Sequence, residues 1–181
     1  MSKNILIIST SLRNGSNSEI LANEVLKGAA DAGNNAELVT LKDKQIAFCK
    51  GCLACQKTGH CVIKDDAVEI VEKMKNSDVI VFATPVYYYG MSGQMKTLLD
   101  RANPLYVSDY KFRKIYLVTA SAEAEKETPE KTITGLKGWV ECFSECEYAG
   151  EYLGGGFTDP NEVKGDPDTL KGAYEFGKGK V

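Results

Sequence analysis

Histidine and tryptophan each occur once in the 181 residues, and proline only five times. The single histidine, His60, sits in a cysteine-rich stretch, which leaves no credible Ser-His-Asp or Cys-His catalytic arrangement. Long apolar runs are missing too. The longest is Val79–Ala83, far short of the ~18–20 residues of a membrane span. Near the N-terminus only Ile5–Ile8 are consecutively apolar, fewer than the about seven of a secretory core. A cytoplasmic protein is expected. Neither charge sign dominates: 22 basic residues face 25 acidic ones, a net of −3. That gives no electrostatic reason to expect nucleic acid or an anionic membrane as partner. There is no G-x-G-x-x-G fingerprint and no Gly-Lys-Ser/Thr phosphate loop. Internal repeats, heptads and long linkers are absent, so residues 1–181 read as a single domain.

What is present alternates between two periods. Short apolar runs at Lys3–Ile8, Ala36–Leu41, Asp78–Thr84, Lys114–Ala120 and Glu147–Leu153 predict five strands. The third is the most apolar, and Pro85 should end it. Between them lie helix signals. Ser16 and Glu19 have the spacing of a capping box and open a helix ending near Gly33. Asp65 or Asp66 caps the next, and Ser92–Ala102 forms another. Thr128-Pro129 and Asp166-Pro167 each pair a cap with a proline at the first helical position. Gly154–Gly156 reads as a flexible loop. Five strands alternating with five helices predict a doubly wound α/β sandwich with helices on both faces of a parallel sheet. With the strand order 2-1-3-4-5, the ligand crevice would lie where the loops Ser9–Asn17 and Pro85–Gly93 meet.

The first of these loops joins a buried strand to a helix N-terminus and carries Ser9, Thr10, Ser11, Ser16 and Ser18 together with Arg13. Free amides and the helix dipole at such an end favour an anion, with the hydroxyls as donors to phosphate oxygens. A polar loop with an ordinary cap is the plainer reading. The second loop sets Tyr87, Tyr88 and Tyr89 directly after the central strand, between Pro85 and Gly90. Aromatic rings there suit a large planar ligand, and they equally suit a subunit interface.

The loops SLRNGSNS and TPVYYYGMSGQMKTLLDR, with CKGCLACQKTGHCVIKDD between them, resemble the flavodoxin-like family of NADPH-dependent FMN reductases, and within it the iron–sulfur flavoprotein branch. The resemblance covers about residues 3–122 well. It implies a flavodoxin-like three-layer sandwich and an NAD(P)H-dependent oxidoreductase that passes electrons through FMN. It also implies that Ser9, Ser11, Arg13, Asn14, Ser16, Asn17 and Ser18 hold the FMN phosphate. Pro85, Val86, Tyr87, Tyr88 and Gly90 would line the isoalloxazine and ribityl chain, and Ser121 would approach from a third loop. That third loop, Ser121-Ala122-Glu123, departs from the glycine-containing loop common in the family. The implied partners are NAD(P)H or a ferredoxin-like donor, a small-molecule or protein acceptor, and a second copy of the chain, as homodimer or homotetramer. A non-enzymatic flavodoxin-like carrier and a zinc- or redox-sensing module are the rival readings.

Six cysteines complete the inventory. In a reducing compartment, metal or redox chemistry outweighs disulfides. Cys49, Cys52, Cys55 and Cys61 have the compact spacing C-x2-C-x2-C-x5-C on an expected loop, and two-residue gaps let successive thiolates converge on one site. The resemblance implies a four-iron, four-sulfur cluster. Zinc and free thiols remain as alternatives. The loop should emerge on the same sheet edge as the flavin loops. Cys142 and Cys146 stand four apart on an expected helix and read as buried small hydrophobes.

Overall fold

Ile5 and Ile7 pack on one side of a central sheet while Leu6 and Ile8 pack on the other. This double burial explains why β1 (Asn4–Ser9) is a continuous apolar run and not an alternating one. In the computed structural model, which describes residues 2–181, the same holds for β3 (Val79–Tyr87) and β5 (Lys114–Ala120). β2 (Asn35–Thr40) and β6 (Glu147–Gly154) flank them at the two edges. The strand order is β2-β1-β3-β5-β6, all parallel, with the two-residue β4 (Gly90–Met91) turned back antiparallel against β3. This is the expected five-strand order, with a hairpin strand added.

One helical layer holds α1 (Asn17–Asp31) and α6 (Pro167–Gly179); the other holds α3 (Asp66–Asn76), α4 (Gly93–Arg101) and α5 (Glu130–Val140). The second layer is fastened by an aromatic cluster. Trp139 meets Phe82 edge-on at 5.9 Å and lies 4.6 Å from Phe143, both between ring centroids. In the first layer, α1 and α6 touch through Gly28 and Gly177. A Cβ on either would collide with the other helix's backbone, at Tyr174 or at Val25. No helix among the described residues is long and apolar enough to cross a membrane.

Several expectations are corrected. β3 does not stop before Pro85 but continues to Tyr87, because Pro85 lies beyond the last residue that pairs with β1 and only β5 flanks it. Thr128 does not cap α5. Its hydroxyl donates to Glu123 Oε2 at 3.1 Å, and the helix begins after Pro129 with no side-chain cap. The caps at Ser16, Asp65, Ser92 and Asp166 are each present as side-chain acceptors of first-turn amides. The cysteine stretch contains a single helical turn, α2 (Cys55–Thr58). Cys142 and Cys146 lie beyond the end of α5, not on it. Cys142 is exposed, while burial pushes the Cys146 thiol up to about 12.

Candidate functional site: a phosphate loop, a tyrosine hairpin and a cysteine cavity

β1 delivers the chain to the carboxyl edge of the sheet, where residues 10–16 cross to the first turn of α1. Ser16 is the N-cap, its Oγ accepting from the Glu19 amide at 3.4 Å and meeting Ser18 Oγ at 3.0 Å. Ser16, Asn17 and Ser18 are buried at the helix N-terminus, although their side chains are polar. Beneath them Ser9 Oγ is fully buried with no hydrogen-bond partner. An unpaired hydroxyl under a buried helix N-terminus fits an anion whose oxygens would satisfy both. Hydroxyls also fix the loop to its neighbours. Thr10 Oγ1 donates to the Ala83 carbonyl at 3.0 Å and meets Ser92 Oγ at 3.0 Å, while the Ser92 amide donates to Thr84 Oγ1 at 3.1 Å. The phosphate loop, β3 and the cap of α4 are thereby joined.

Opposite stands the β3–β4 hairpin. Tyr88 and Tyr89 form its tip at φ of 50° and 65°, a two-residue turn that normally calls for Asn and Gly. Tyr89 Oη donates to Glu123 Oε1 at 3.0 Å, and Lys131 lies over its ring at 5.5 Å. The carboxylate bond, first among the causes, raises the Tyr89 phenol above its ordinary value.

Between loop and hairpin lies a cavity of about 250 Å³. Ser11, Arg13, Ser16, Asn17 and Ser18 form one wall, and Pro85, Val86 and Tyr87 the other. The remaining expected residues stand outside it. Ser9 is fully buried and does not line it, Asn14 is exposed, and Gly90 is in β4. Tyr88 points fully into solvent, and Ser121 turns its hydroxyl to the Glu123 carbonyl at 2.8 Å. Ala120 and Ala122 line the third side.

Sequence reasoning missed the fourth side, Phe157 and Thr158. Their segment braces the phosphate loop. Arg13 Nη1 donates to the Thr158 carbonyl at 2.6 Å. Asn17 Nδ2 donates to the Asp159 carbonyl at 2.9 Å, and Asn17 Oδ1 accepts from the Val163 amide at 3.2 Å. The amide of Asn17 is thus committed to the brace, leaving its backbone for a ligand. The signal was the glycine run, read as flexibility. In fact Gly154 and Gly155 permit close packing: a Cβ would come within 2.6 Å of Leu21 and 2.8 Å of the Glu123 carbonyl, respectively.

The cysteine loop builds a separate cavity of about 480 Å³, lined by Cys49, Cys52, Cys55 and Cys61 together. Arg101 at the end of α4 and Asn103 and Tyr106 from the 3-10 turn that follows also line it, with Trp139 and Cys142. The loop follows β2 at the carboxyl edge of the sheet, but its cavity is separate from the cleft at the phosphate loop. The loop folds back across α4 to its far end, eight residues or about 12 Å from Gly93 at 1.5 Å per residue. Among the described residues no three His, Cys, Asp or Glu side chains form a ready shell for a single metal ion. The donor set nevertheless suits anionic sulfur. Asn103 Nδ2 donates to Cys55 Sγ at 3.0 Å, and the Gly51 amide donates to Cys49 Sγ at 3.4 Å. His60 is exposed, its ring turned to the Thr58 carbonyl.

Residues 3–131 match the model of the NADPH-dependent FMN reductases. The chain belongs to that family. Within it the chain falls in the iron–sulfur flavoprotein branch. It is 32% identical to an iron–sulfur flavoprotein of Methanocaldococcus jannaschii over 96% of this chain and 93% of that one. It is 34% identical to an iron–sulfur flavoprotein of Methanosarcina thermophila over 74% of this chain and 70% of that one. In fold it is similar to an NAD(P)H:quinone oxidoreductase from Methanothermobacter marburgensis, with a TM-score of 0.75 and 15% identity over 98% of this chain and 96% of that one. The protein is an FMN-dependent NAD(P)H oxidoreductase of flavodoxin-like fold.

Proposed function

We propose that FMN binds in the cleft between the phosphate loop and the tyrosine hairpin of a single domain spanning residues 1–181. Bound there, FMN supplies the redox chemistry, taking hydride from NAD(P)H and passing electrons to an acceptor. The observation that carries this reading is the cavity that sets the buried Ser16–Ser18 helix N-terminus against Pro85, Val86 and Tyr87. The first-turn amides of α1 and the hydroxyls of Ser11, Ser16 and Ser18 bind the phosphate, and Arg13 screens its charge from the rim. Pro85, Val86 and Tyr87 support the ring system, Ser9 backs the phosphate loop from the core, and Asn14, Tyr88, Gly90 and Ser121 shape the approaches. No side chain is needed as acid or base, because hydride transfer to flavin moves no proton through the protein.

The cleft, at about 250 Å³, is small beside the roughly 300–1,000 Å³ of ordinary ligand pockets. The ring system must therefore extend over the exposed tyrosines. Tyr87, Tyr88 and Tyr89 are 49%, 102% and 46% exposed. A second copy of the chain covering these rings, in a homodimer or homotetramer, would shield the flavin from water. Cys49, Cys52, Cys55 and Cys61 hold a four-iron, four-sulfur cluster, supported by their common cavity and its N–H donors to sulfur. A ferredoxin-like protein is then a second donor, feeding electrons through the cysteine site. Such a site suits the reducing cytoplasm, where thiols stay free.

The test is anaerobic purification followed by FMN titration of the apoprotein, iron and sulfide analysis, and NADH and NADPH oxidation. One FMN per chain, four irons with four sulfides, and steady NAD(P)H turnover are expected. Tight FMN binding that survives Ser16→Ala together with Ser18→Ala would move the phosphate elsewhere. Iron and sulfide absent after reconstitution would leave a plain FMN reductase, and zinc in their place would make the loop structural.

A further inference from the structure

Among the described residues Arg101 is the one charged residue that is fully buried, its side chain 0% exposed. A guanidinium offers five N–H donors, and four are in use. Nη1 donates to the Ala47 carbonyl at 2.8 Å and to Asp65 Oδ2 at 2.6 Å, while Nη2 donates to the Ile63 carbonyl at 3.1 Å and to Asp65 Oδ1 at 2.7 Å. Ala47 stands just before the cysteine loop and Ile63 just after it. One planar group therefore holds both feet of the loop. Asp65 reinforces the closure by accepting the Ala47 amide at 2.9 Å.

The fifth donor, Nε–H, is buried and has no partner. Buried unpaired donors are rare in folded proteins, and each calls for an explanation. Arg101 lies on the wall of the cavity that Cys49, Cys52, Cys55 and Cys61 share. Cys61 lines two cavities with Arg101, this one and the neighbouring one along α3. The unused donor thus belongs to a residue that shares a cavity wall with the four thiols.

We propose that Arg101 is the positioning residue of the cysteine site, clamping the two feet of the loop through Nη1 and Nη2 and offering Nε–H to sulfur at the loaded site. The Nε–H role rests on the reading of the loop as an iron–sulfur site; the clamp does not. Hydrogen bonds to cluster sulfurs, together with charge and exposure, set reduction potential. A donor to sulfur favours the more negative, reduced state. Lysine would keep the charge but not the fork, so it cannot hold Ala47, Ile63 and Asp65 at once.

The experiment compares wild type, Arg101→Lys and Asp65→Asn, with far-UV circular dichroism and FMN titration as checks that the sheet and flavin loops are intact. In the metal-free, FMN-bound protein, hydrogen exchange of the Ala47 amide should quicken at least tenfold in both variants. In protein reconstituted with iron and sulfide, Arg101→Lys should lose iron to a chelator at least tenfold faster, and its cluster potential should move negative. Asp65→Asn keeps Nε–H and removes a negative charge, so its potential should not move negative. Wild-type exchange and wild-type potential in Arg101→Lys would overturn the proposal. Unchanged exchange in both variants would overturn the clamp even if the potential moved. A wild type that takes up no iron would sink the cluster reading and the Nε–H role with it, while the exchange rates still decide the clamp.

Discussion

The hydroxyl of Tyr89 donates to the carboxylate of Glu123 across 3.0 Å, tying the hairpin after β3 to the loop after β5. The two segments form facing edges of the flavin cleft, so the bond sets how wide it opens. Tyr89→Phe removes it without altering the ring. FMN affinity should fall, but by less than about tenfold, since the bond is solvent-exposed. Titration of the apoprotein measures this, and Glu123→Ala should give a similar loss. Wild-type affinity in both would show that the cleft keeps its width unaided.

At the tip of the same hairpin, Tyr88 is held at φ 50° and has no partner for its fully exposed ring. Left-handed backbone at a bulky residue costs on the order of 1–3 kcal/mol. Tyr88→Asn should therefore raise the melting temperature of the isolated chain by a few degrees. If a second copy covers this ring, the same change should weaken self-association in light scattering. A melting point that does not rise would mean that the turn carries no strain.

Ser16 has two tasks that separate in measurement. As the N-cap of α1 it stabilises the fold by roughly 1 kcal/mol. As a donor to a charged phosphate it contributes about 1.5–3 kcal/mol to binding. Ser16→Ala should lower the urea midpoint slightly and FMN affinity by at least about tenfold. Loss of stability with unchanged affinity would leave Ser16 as a cap alone.

Acid should act through Asp65. Burial alone would raise its carboxyl, but the bonds from Arg101, Ala47 and Ala67 outweigh that and hold it below its ordinary value. A folded-state pKa below the unfolded one stabilises fully above the unfolded value, about 3.9. That stability is lost as pH falls through the lower, folded value. Urea midpoints should stay level from neutral pH to about 4 on this account and fall below it. In Asp65→Asn this step should vanish, at the expense of about 3 kcal/mol at neutral pH because the buried Arg101 loses its counter-charge.

The two outlying cysteines should differ toward an alkylating reagent. Cys142 is exposed, whereas burial pushes the Cys146 thiol up to about 12. Iodoacetamide at about pH 8 should label Cys142 and leave Cys146 largely untouched, because the thiolate is the nucleophile. Equal labelling, read by mass spectrometry, would contradict the burial of Cys146.

Local periodicity made most of the fold legible. Doubly buried runs such as Ile5–Ile8 and Val79–Ala83 announce central strands, and the caps Ser16, Asp65, Ser92 and Asp166 mark helix starts. The hairpin at Tyr88 and Tyr89 stayed hidden because its turn runs against local preference. The segment of Phe157 and Thr158 was hidden because its bonds, Thr158 to Arg13 and Asp159 to Asn17, span more than 140 residues of chain. Arg101 gave no sign either. A charged residue at the end of a helix ordinarily faces water, and only the returning loop buries it.

The brace on Asn17 bears on the order in which the living cell completes this protein. During synthesis the phosphate loop leaves the ribosome early, but the Asp159 carbonyl and Val163 amide that hold Asn17 follow about 140 residues later. A nascent chain ending at residue 131, where the family match ends, has the hydroxyls for a phosphate yet lacks the segment that sets their geometry. It also lacks β6, so β5 presents an unpaired edge. A chain cut there should therefore hold FMN poorly and aggregate through its open sheet edge.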